Sequence, residues 1–580
     1  MARLTVNATK VLERRYLLKD KNGKVVETPS QMFRRIARSI AKTKKAQKDY
    51  LSMLESLEFL PNSPTIMNAG TPLRQLSACF VLPVEDSIEG IFTSVKTMAL
   101  IHQSGGGTGF SFSHLRPEGD VVRSTGGVAS GPVSFMRVFD TATEVVKQGG
   151  RRRGANMGIL NVNHPDILKF INAKRGEAMF RNFNISVSVT DSFMKAVERK
   201  SAYNLVSPRT KKVVGRLNAA KVFDEIVFSA WETGDPGIVF IDEINRKNPT
   251  RAVGKIESTN PCGEQPLVPY ESCNLGSINL SLMLKEGNID WERLERAVKL
   301  AVQFLDDVID ANLFPTPQIE KVTRQNRRIG LGVMGFAEML IQLGIPYDSD
   351  KALKVAERLM EFINKKAHEA SSELAGKRGS FPNFSKSTWR KRYKRLRNAT
   401  VTTIAPTGTI SIIAGTSSGI EPLFAVSFIR NIMEGTELLE VNPLFEKIAK
   451  ERGFYSKGLI SKIARTGSVQ NIKEVPEDVR RVFVTALDIS PKWHVRMQAA
   501  FQKYTDNAVS KTVNLPENAT IGDVKRAYLL AHKLNCKGIT VFRYGSRTGM
   551  PLVIRPMLRK EAKYVKADSE YTGDCRVCSV

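Results

Sequence analysis

Apolar residues recur at helical spacing through the first sixty or so positions. "SQMFRRIARSIAKTKKAQKDYLSMLESLEFL" places them three and four apart with charge between, which predicts amphipathic helices over residues 1–60. "PNSPTIMNAGTP" then breaks the pattern with prolines and glycines, and a domain boundary is placed there. From 61 to about 545, short apolar runs alternate with helical stretches. "FRNFNISVSVT" reads as a strand, "AAKVFDEIVFSAWETG" as a helix stopped by its glycine, and "RNATVTTIAPTGT" as a strand entering a loop. Such alternation predicts an α/β domain with largely parallel strands. Beyond about 546 the periodicity fades, so 546–580 is expected to form a flexible tail.

Composition narrows the classes. With 42% hydrophobic residues in 580, the chain has ample material for a core. No run of about 18 apolar residues suggests a membrane span. The opening "MARLTVNATKVLERRYLLKDKNGKVV" has charges where a signal peptide needs its apolar stretch, so a cytoplasmic protein is expected. Six cysteines are too few for a disulfide scaffold. The balance of 87 basic against 58 acidic residues gives +29, a field that attracts phosphates. Basic runs such as "RKRYKRLR" are dispersed and no DNA-reading motif accompanies them, so a solvated basic surface is the ordinary explanation. No membrane and no specific nucleic-acid partner is expected.

Four glycine-containing motifs invite a phosphate reading. "GLGVMG" (Gly330 to Gly335) fits a dinucleotide fingerprint, but neither a buried strand before it nor a strand ending in an acid after it supplies the context. It is assigned to close helix packing. "HQSGGGTGFSFSHLRPEG" and "KQGGRRRGANMG" offer exposed backbone N–H groups, the second with three arginines beside them, although flexible turns explain glycine equally well. "APTGTISII" follows an apolar strand, and its successive N–H groups with the Thr407 and Thr409 hydroxyls suit a phosphate.

The cysteines are Cys79, Cys262, Cys273, Cys536, Cys575 and Cys578. No four-ligand metal set emerges from their spacing, and no metal site is assigned. The terminal Cys575-x-x-Cys578 suits thiol–disulfide exchange, with zinc binding the lesser alternative. Cys536, in "AHKLNCKGITVF", reads as a buried hydrophobe. Cys262 sits between Asn260 and Glu264 in "STNPCGEQPL", and Cys273 follows eleven residues later in "ESCNLGSINL".

These segments, with "RQLSACFVLP" upstream and "APTGTIS" and "TSSGIEPLF" downstream, resemble a ribonucleotide reductase catalytic subunit. The likeness runs from "LTVNATKVLERRYLLKDKNGKVVETP" through "SKTVNLPENAT" and "KGITVFRYGSR" to the terminal cysteine pair, essentially the whole chain. The resemblance implies a ten-stranded α/β barrel behind a small helical N-terminal region, with a central finger loop carrying Cys262. It implies an enzyme that reduces ribonucleotides, diphosphates by preference, to 2′-deoxyribonucleotides. By the same resemblance Cys262 is the thiyl-radical residue and Glu264 the base that takes the 3′-hydroxyl proton, a task suited by a pKa raised toward neutrality. Asn260 orients Glu264, Cys79 and Cys273 supply two electrons as a disulfide-forming pair, and Cys575 and Cys578 re-reduce that pair. Substrate contacts are expected from Ser63, Ala78, Cys79 and Ser113, from Asn260, Pro261, Cys262, Gly263 and Glu264, and from Pro406, Thr407, Gly408, Thr409 and Ile410. A deoxynucleoside triphosphate effector would meet Asp86 and Arg123 at a homodimer interface, with "GGRRRGANMG" as relay, and a thioredoxin- or glutaredoxin-like protein would recharge the tail.

The radical source follows from three comparisons within the family. The catalytic subunits that take their radical from a partner typically carry two adjacent tyrosines near the end, whereas the corresponding "ITVFRYGSR" has only Tyr544. The glycyl-radical enzymes need a glycine where "CRVCSV" has Ser579. That leaves the class II, adenosylcobalamin-dependent form, and the absence of a D-x-H-x-x-G stretch implies that the cofactor keeps its own base on cobalt. The start of the chain lacks the longer ATP-cone domain of some relatives, so inhibition by dATP through it is not expected. Two alternatives stand beside this reading: a reductase needing a separate radical-generating subunit, and a basic nucleic-acid-binding protein with an inactive barrel.

Overall fold

The computed structural model describes residues 4–122, 126–146, 154–175, 179–432, 436–546, 552–556 and 563–568. The helical opening forms as its periodicity demands. Helix Pro29–Ile40 starts at Thr28, whose side chain and that of Gln31 cap each other's backbone N–H groups. It buries Met32, Phe33, Ile36, Ala37 and Ile40 on one face. Each such large apolar side chain contributes about 2 kcal/mol when removed from water. That face packs with helices Lys44–Glu55, Trp291–Ala311 and Asp350–Arg378 in one apolar cluster.

Ten strands share the main sheet: β1 (Phe59–Pro61), β2 (Cys79–Pro83), β3 (Gly107–Ser111), β4 (Asn156–Asn161), β5 (Phe183–Val189), β6 (Gly237–Phe240), β7 (Ser272–Asn279), β8 (Ile329–Met334), β9 (Thr512–Leu515) and β10 (Gly538–Arg543). Strands β2 to β6 run parallel in sequence order. Strand β10 joins β6 antiparallel and carries β9 parallel to itself. On the other side β7 pairs antiparallel with β2 and parallel with β8. The stretch 401–404 closes the ring: Thr402 bridges Leu331 of β8, and Ile404 bridges Val509 just before β9. Two parallel halves of five staves each thus meet antiparallel, and β1 is a short addition beside β7.

Strand alternation sorts the side chains of this ring. In β2, Phe80 and Leu82 point outward into a cluster with the surrounding helices, while Cys79 and Val81 join Cys273, Leu275 and Leu267 inside. In β4, Met157 and Ile159 face inward toward Val239, Ile256 and Val268. The interior is therefore occupied by chain rather than left as a pore.

Three expectations need correction. "GLGVMG" is not at a helix contact: its first five residues lie within strand β8, which ends at Met334. A Cβ on Gly332 would come within 2.5 Å of Thr403 O, so the glycine admits the closing stave. In "GGGTGF" the chain enters strand β3 at Gly107 rather than forming an exposed anion loop, its backbone engaged through Gly107 N–H to Ala78 O at 2.8 Å. The expected tail also carries two strands, Leu552–Pro556 and Lys563–Asp568, which pair with each other and with Ser427–Ile432. No helix among the described residues is long and apolar enough to cross a membrane.

Candidate active site

The finger is a hairpin inside the ring. Ser258–Thr259 pairs with Pro266–Leu267, leaving 260–265 as its tip. Asn260 fastens the tip at both ends: its N–H donates to Gln265 O at 3.1 Å, and its Oδ1 accepts from Gln265 N–H at 2.9 Å. Gly263 N–H closes a turn onto Asn260 O, with Gly263 at φ 82°, a conformation that L side chains resist. The wall is made to receive the finger. A Cβ on Gly109 would sit 1.7 Å from Thr259 O, and one on Gly107 would sit 2.9 Å from Pro261 Cγ. Asn184 Nδ2 of β5 donates to Pro261 O at 2.8 Å, while Ala508 N–H and Thr403 Oγ1 both donate to Glu264 O at 2.9 Å.

Register brings the distant cysteines together. Cys79 of β2 stands directly opposite Cys273 of β7, and cross-strand neighbours of this kind lie at about the Cα separation a disulfide requires. Both are buried as free thiols. Cys79 Sγ accepts from Asn260 Nδ2 at 3.1 Å and faces Glu264 Oε1 at 4.0 Å, the limit for a thiol donor. Burial, with the carboxylate of Glu271 adding to it, pushes the Cys273 thiol well above its ordinary range, Arg328 pulling the other way. Cys262 differs in being half-buried at the finger's end.

A cavity opens over these groups. Asn260, Pro261, Cys262 and Glu264 line it from the finger, Ala78 and Cys79 from the wall, Ser63 from the start of helix Ser63–Asn68, and all of 406–410 complete it. In that last segment Thr407 adopts φ 58° at the position before helix Gly408–Ala414, and its Oγ1 accepts from Gly419 N–H at 2.7 Å. Gly263 belongs to the fingertip but does not line the cavity. Ser113 is the correction: it lies beyond the far end of β3, where its hydroxyl accepts from Asn161 N–H at 2.9 Å, and it does not reach the cavity. Asp86 does not line this cavity and pairs with Arg116 at 2.8 Å. Arg123, Cys575, Cys578 and the arginines of "GGRRRGANMG" lie outside the described residues. Sequence reasoning missed Arg15 and Tyr16, which also line the cavity. They fell in the stretch read only as helical, and nothing in its spacing pointed to a ligand.

Cys536, as expected, is buried, its thiol pushed up to about 12 by desolvation. The acidic trio Asp306, Asp307 and Asp310 is neutralised by Arg327, Arg378 and Lys42.

Comparisons with known proteins bear on the family and the fold. Residues 77–542 match the ribonucleotide reductase barrel domain and residues 2–74 the ribonucleotide reductase all-alpha domain. A vitamin B12-dependent ribonucleoside-diphosphate reductase of Thermoplasma acidophilum is 52% identical over 99% of this chain and 85% of its own. One from Mycobacterium tuberculosis is 52% identical over 99% of this chain and 84% of its own. The Actinobacillus ureae class Id ribonucleotide reductase alpha subunit shares the fold at a TM-score of 0.78 and 23% identity, across 93% of this chain and 97% of that one. With its barrel, its finger and its paired wall cysteines in place, the chain belongs to the ribonucleotide reductase family.

Proposed function

We propose that this chain reduces ribonucleoside diphosphates to 2′-deoxyribonucleoside diphosphates with a thiyl radical on Cys262, drawing that radical from adenosylcobalamin. The observation that carries the reading is the convergence of Cys79, Asn260 and Glu264 beside Cys262 in one cavity, with Cys273 directly opposite Cys79. The thiyl radical on the half-buried Cys262 takes the ribose 3′-hydrogen and becomes the thiol, and Glu264 accepts the 3′-hydroxyl proton. The 2′-hydroxyl leaves as water. Cys79 and Cys273 give two electrons and two protons and close a disulfide, and Cys262 returns its hydrogen to C3′. The balance is one ribonucleotide and two thiols to one deoxyribonucleotide, one disulfide and one water.

The residues present fit the cofactor. Gly106, Gly107 and Ala155 line the cavity that Cys262 faces, and these small residues would border the bound group. None of the six histidines lines the cavity, in keeping with a cofactor that retains its own base. When bound, adenosylcobalamin supplies the radical by breaking its cobalt–carbon bond. The relatives named as vitamin B12-dependent favour this source over a separate radical-generating subunit.

The remaining partners belong to the same reading. Ile88, Phe92 and Leu100 leave an exposed apolar face on helix Ile88–Gln103, which supports a homodimer contact beside Asp86. There a deoxynucleoside triphosphate effector would meet Asp86 and Arg123. A thioredoxin- or glutaredoxin-like reductant would act through Cys575 and Cys578, and the protein would work in the cytoplasm.

The deciding assay incubates prereduced protein anaerobically with CDP, effector and dithiothreitol, with and without adenosylcobalamin. Formation of dCDP only with the cofactor is the expected result. Product without cofactor, or none with it, overturns the radical source or the activity respectively.

A further inference from the structure

Among the described residues lining the cavity, Arg15 is the one Lys or Arg, and Glu264 the one carboxylate. Arg15 comes from the helical N-terminal region rather than the barrel. It lies in a π-helical turn, Leu12–Tyr16, in which Leu17 N–H reaches back to Leu12 O. Single π turns are uncommon and concentrate at functional sites. This one brings Arg15 and its neighbour Tyr16 to the same cavity while Leu12 and Leu17 stay in the core. Tyr16 is anchored there, its hydroxyl 2.8 Å from Ser63 Oγ. The preceding helix Val6–Val11 packs against helix Gly408–Ala414, and Thr5 Cγ2 lies 3.8 Å from where a Cβ on Gly415 would stand. The helix that leads into the Arg15 turn thus lies against the helix that 406–410 opens.

That side needs a cation. Segment 406–410 offers N–H groups and hydroxyls but no charge, and the Thr407 hydroxyl already serves Gly419. A substrate placed with its ribose at Glu264 must direct its phosphates away from that carboxylate, toward 406–410. A guanidinium is suited to a terminal phosphate because its planar fork makes two parallel charge-assisted bonds. Resting on the activity proposed above, we propose that Arg15 binds the terminal phosphate of the nucleotide, so that the preference for a diphosphate is set by the N-terminal region rather than by the barrel. The phosphodiester of adenosylcobalamin shares this chemistry and is the competing source.

The test uses the full-length protein with adenosylcobalamin and effector, as wild type, Arg15→Gln and Arg15→Lys, with CDP and CMP as substrates. For Arg15→Gln, kcat/KM for CDP should fall at least about tenfold, which is about 1.4 kcal/mol, while that for CMP moves less than about threefold. Arg15→Lys should recover only part of the loss, since an ammonium cannot reproduce the fork. A parallel fall with CDP and CMP would mark Arg15 as merely structural and overturn the proposal. So would an unchanged ratio accompanied by weaker adenosylcobalamin affinity, which would assign Arg15 to the cofactor. Calorimetric titration of CDP and CMP into wild type and Arg15→Gln needs no turnover. If the wild type proved inactive, the proposed activity would fail by itself. CDP binding about tenfold weaker in Arg15→Gln would still support the contact, and equal affinity would refute it.

Discussion

Asn260 Nδ2 donates to Cys79 Sγ across 3.1 Å, joining the fingertip to the barrel wall. The same sulfur faces Glu264 Oε1 at 4.0 Å. An amide, a thiol and a carboxylate therefore share one hydrogen-bonded cluster, in which the amide has a donor to give and the carboxylate only acceptors. Asn260 also binds the Gln265 N–H through its Oδ1, so its side chain has no freedom to turn.

Glu264→Gln keeps the shape of this cluster and removes its ability to take a proton. Product formed in an anaerobic single turnover should be slower by about 10²–10⁴-fold, the range general-base catalysis commands. CDP affinity should stay within about threefold of wild type. A rate within tenfold of wild type would remove Glu264 from the role of base.

Cys262→Ser preserves the fingertip turn but offers no thiol from which a radical is readily formed. No dCDP should accumulate above background, while CDP binding measured by calorimetry remains close to that of wild type. Residual turnover that persists in independently purified preparations would sink the assignment of the radical to this residue.

Thiol labelling separates the cysteines by environment. The Cys273 thiol is held well above its ordinary range by burial, and Cys536 is pushed up to about 12 for the same reason. A raised thiol pKa leaves little thiolate at neutral or mildly alkaline pH, and thiolate is the reactive form. Native, reduced protein treated with iodoacetamide between about pH 7 and 9 should label Cys262 ahead of Cys273 and Cys536, read by peptide mass spectrometry. Labelling should reach the two buried thiols only as the pH rises toward their raised values or as the protein unfolds. Equal labelling at pH 7 would show that the wall opens.

Much of this site was legible in the chain, for physical reasons that differ by residue. Asn260, Cys262 and Glu264 lie within five residues, so their proximity needed no fold. Cys79 and Cys273 required the barrel: nothing in their spacing announces the cross-strand pair that register creates. The glycines misled because their freedom admits two uses. Gly107 and Gly109 are small to let the finger approach, and Gly330 and Gly332 to admit neighbouring packed segments, rather than to cradle phosphate or pack helices. Ser113 failed for a simpler reason, since a strand carries its residues steadily along the wall and the cavity lies at the other end of β3.

The close fit of the finger yields a backbone test. In Gly109→Ala the new methyl would meet Thr259 O at 1.7 Å, a main-chain atom that cannot rotate away. The finger must shift, and catalytic geometry tolerates little displacement, so kcat should fall by about 10²-fold or more. Gly458→Ala is the control, because the nearest atom to its Cβ is 3.9 Å away and it sits in helix Lys457–Thr466, where alanine is favoured by about 0.5–1 kcal/mol. It should retain activity and melt slightly higher. Near-normal activity in Gly109→Ala would mean that finger position is less critical than the contact implies.

Burial of the wall pair dictates the last prediction. Cys79 and Cys273 are 2% and 0% exposed, so a folded reductant protein has no access to the disulfide they would form. Dithiol exchange needs a thiolate to reach a sulfur in line, which calls for a slender carrier. Cys575 and Cys578 lie in a C-x-x-C at the end of the chain and are the remaining candidates once Cys262 and Cys536 are set aside. Replacing both by serine should stop turnover driven by thioredoxin, yet leave about one dCDP per prereduced site. Dithiothreitol, small enough to enter the cavity, should restore part of the multiple turnover. Sustained thioredoxin-driven turnover in the double variant would show that the wall disulfide is reached by another route. Loss of even the first turnover would place the tail cysteines in the chemistry itself rather than in its recharging.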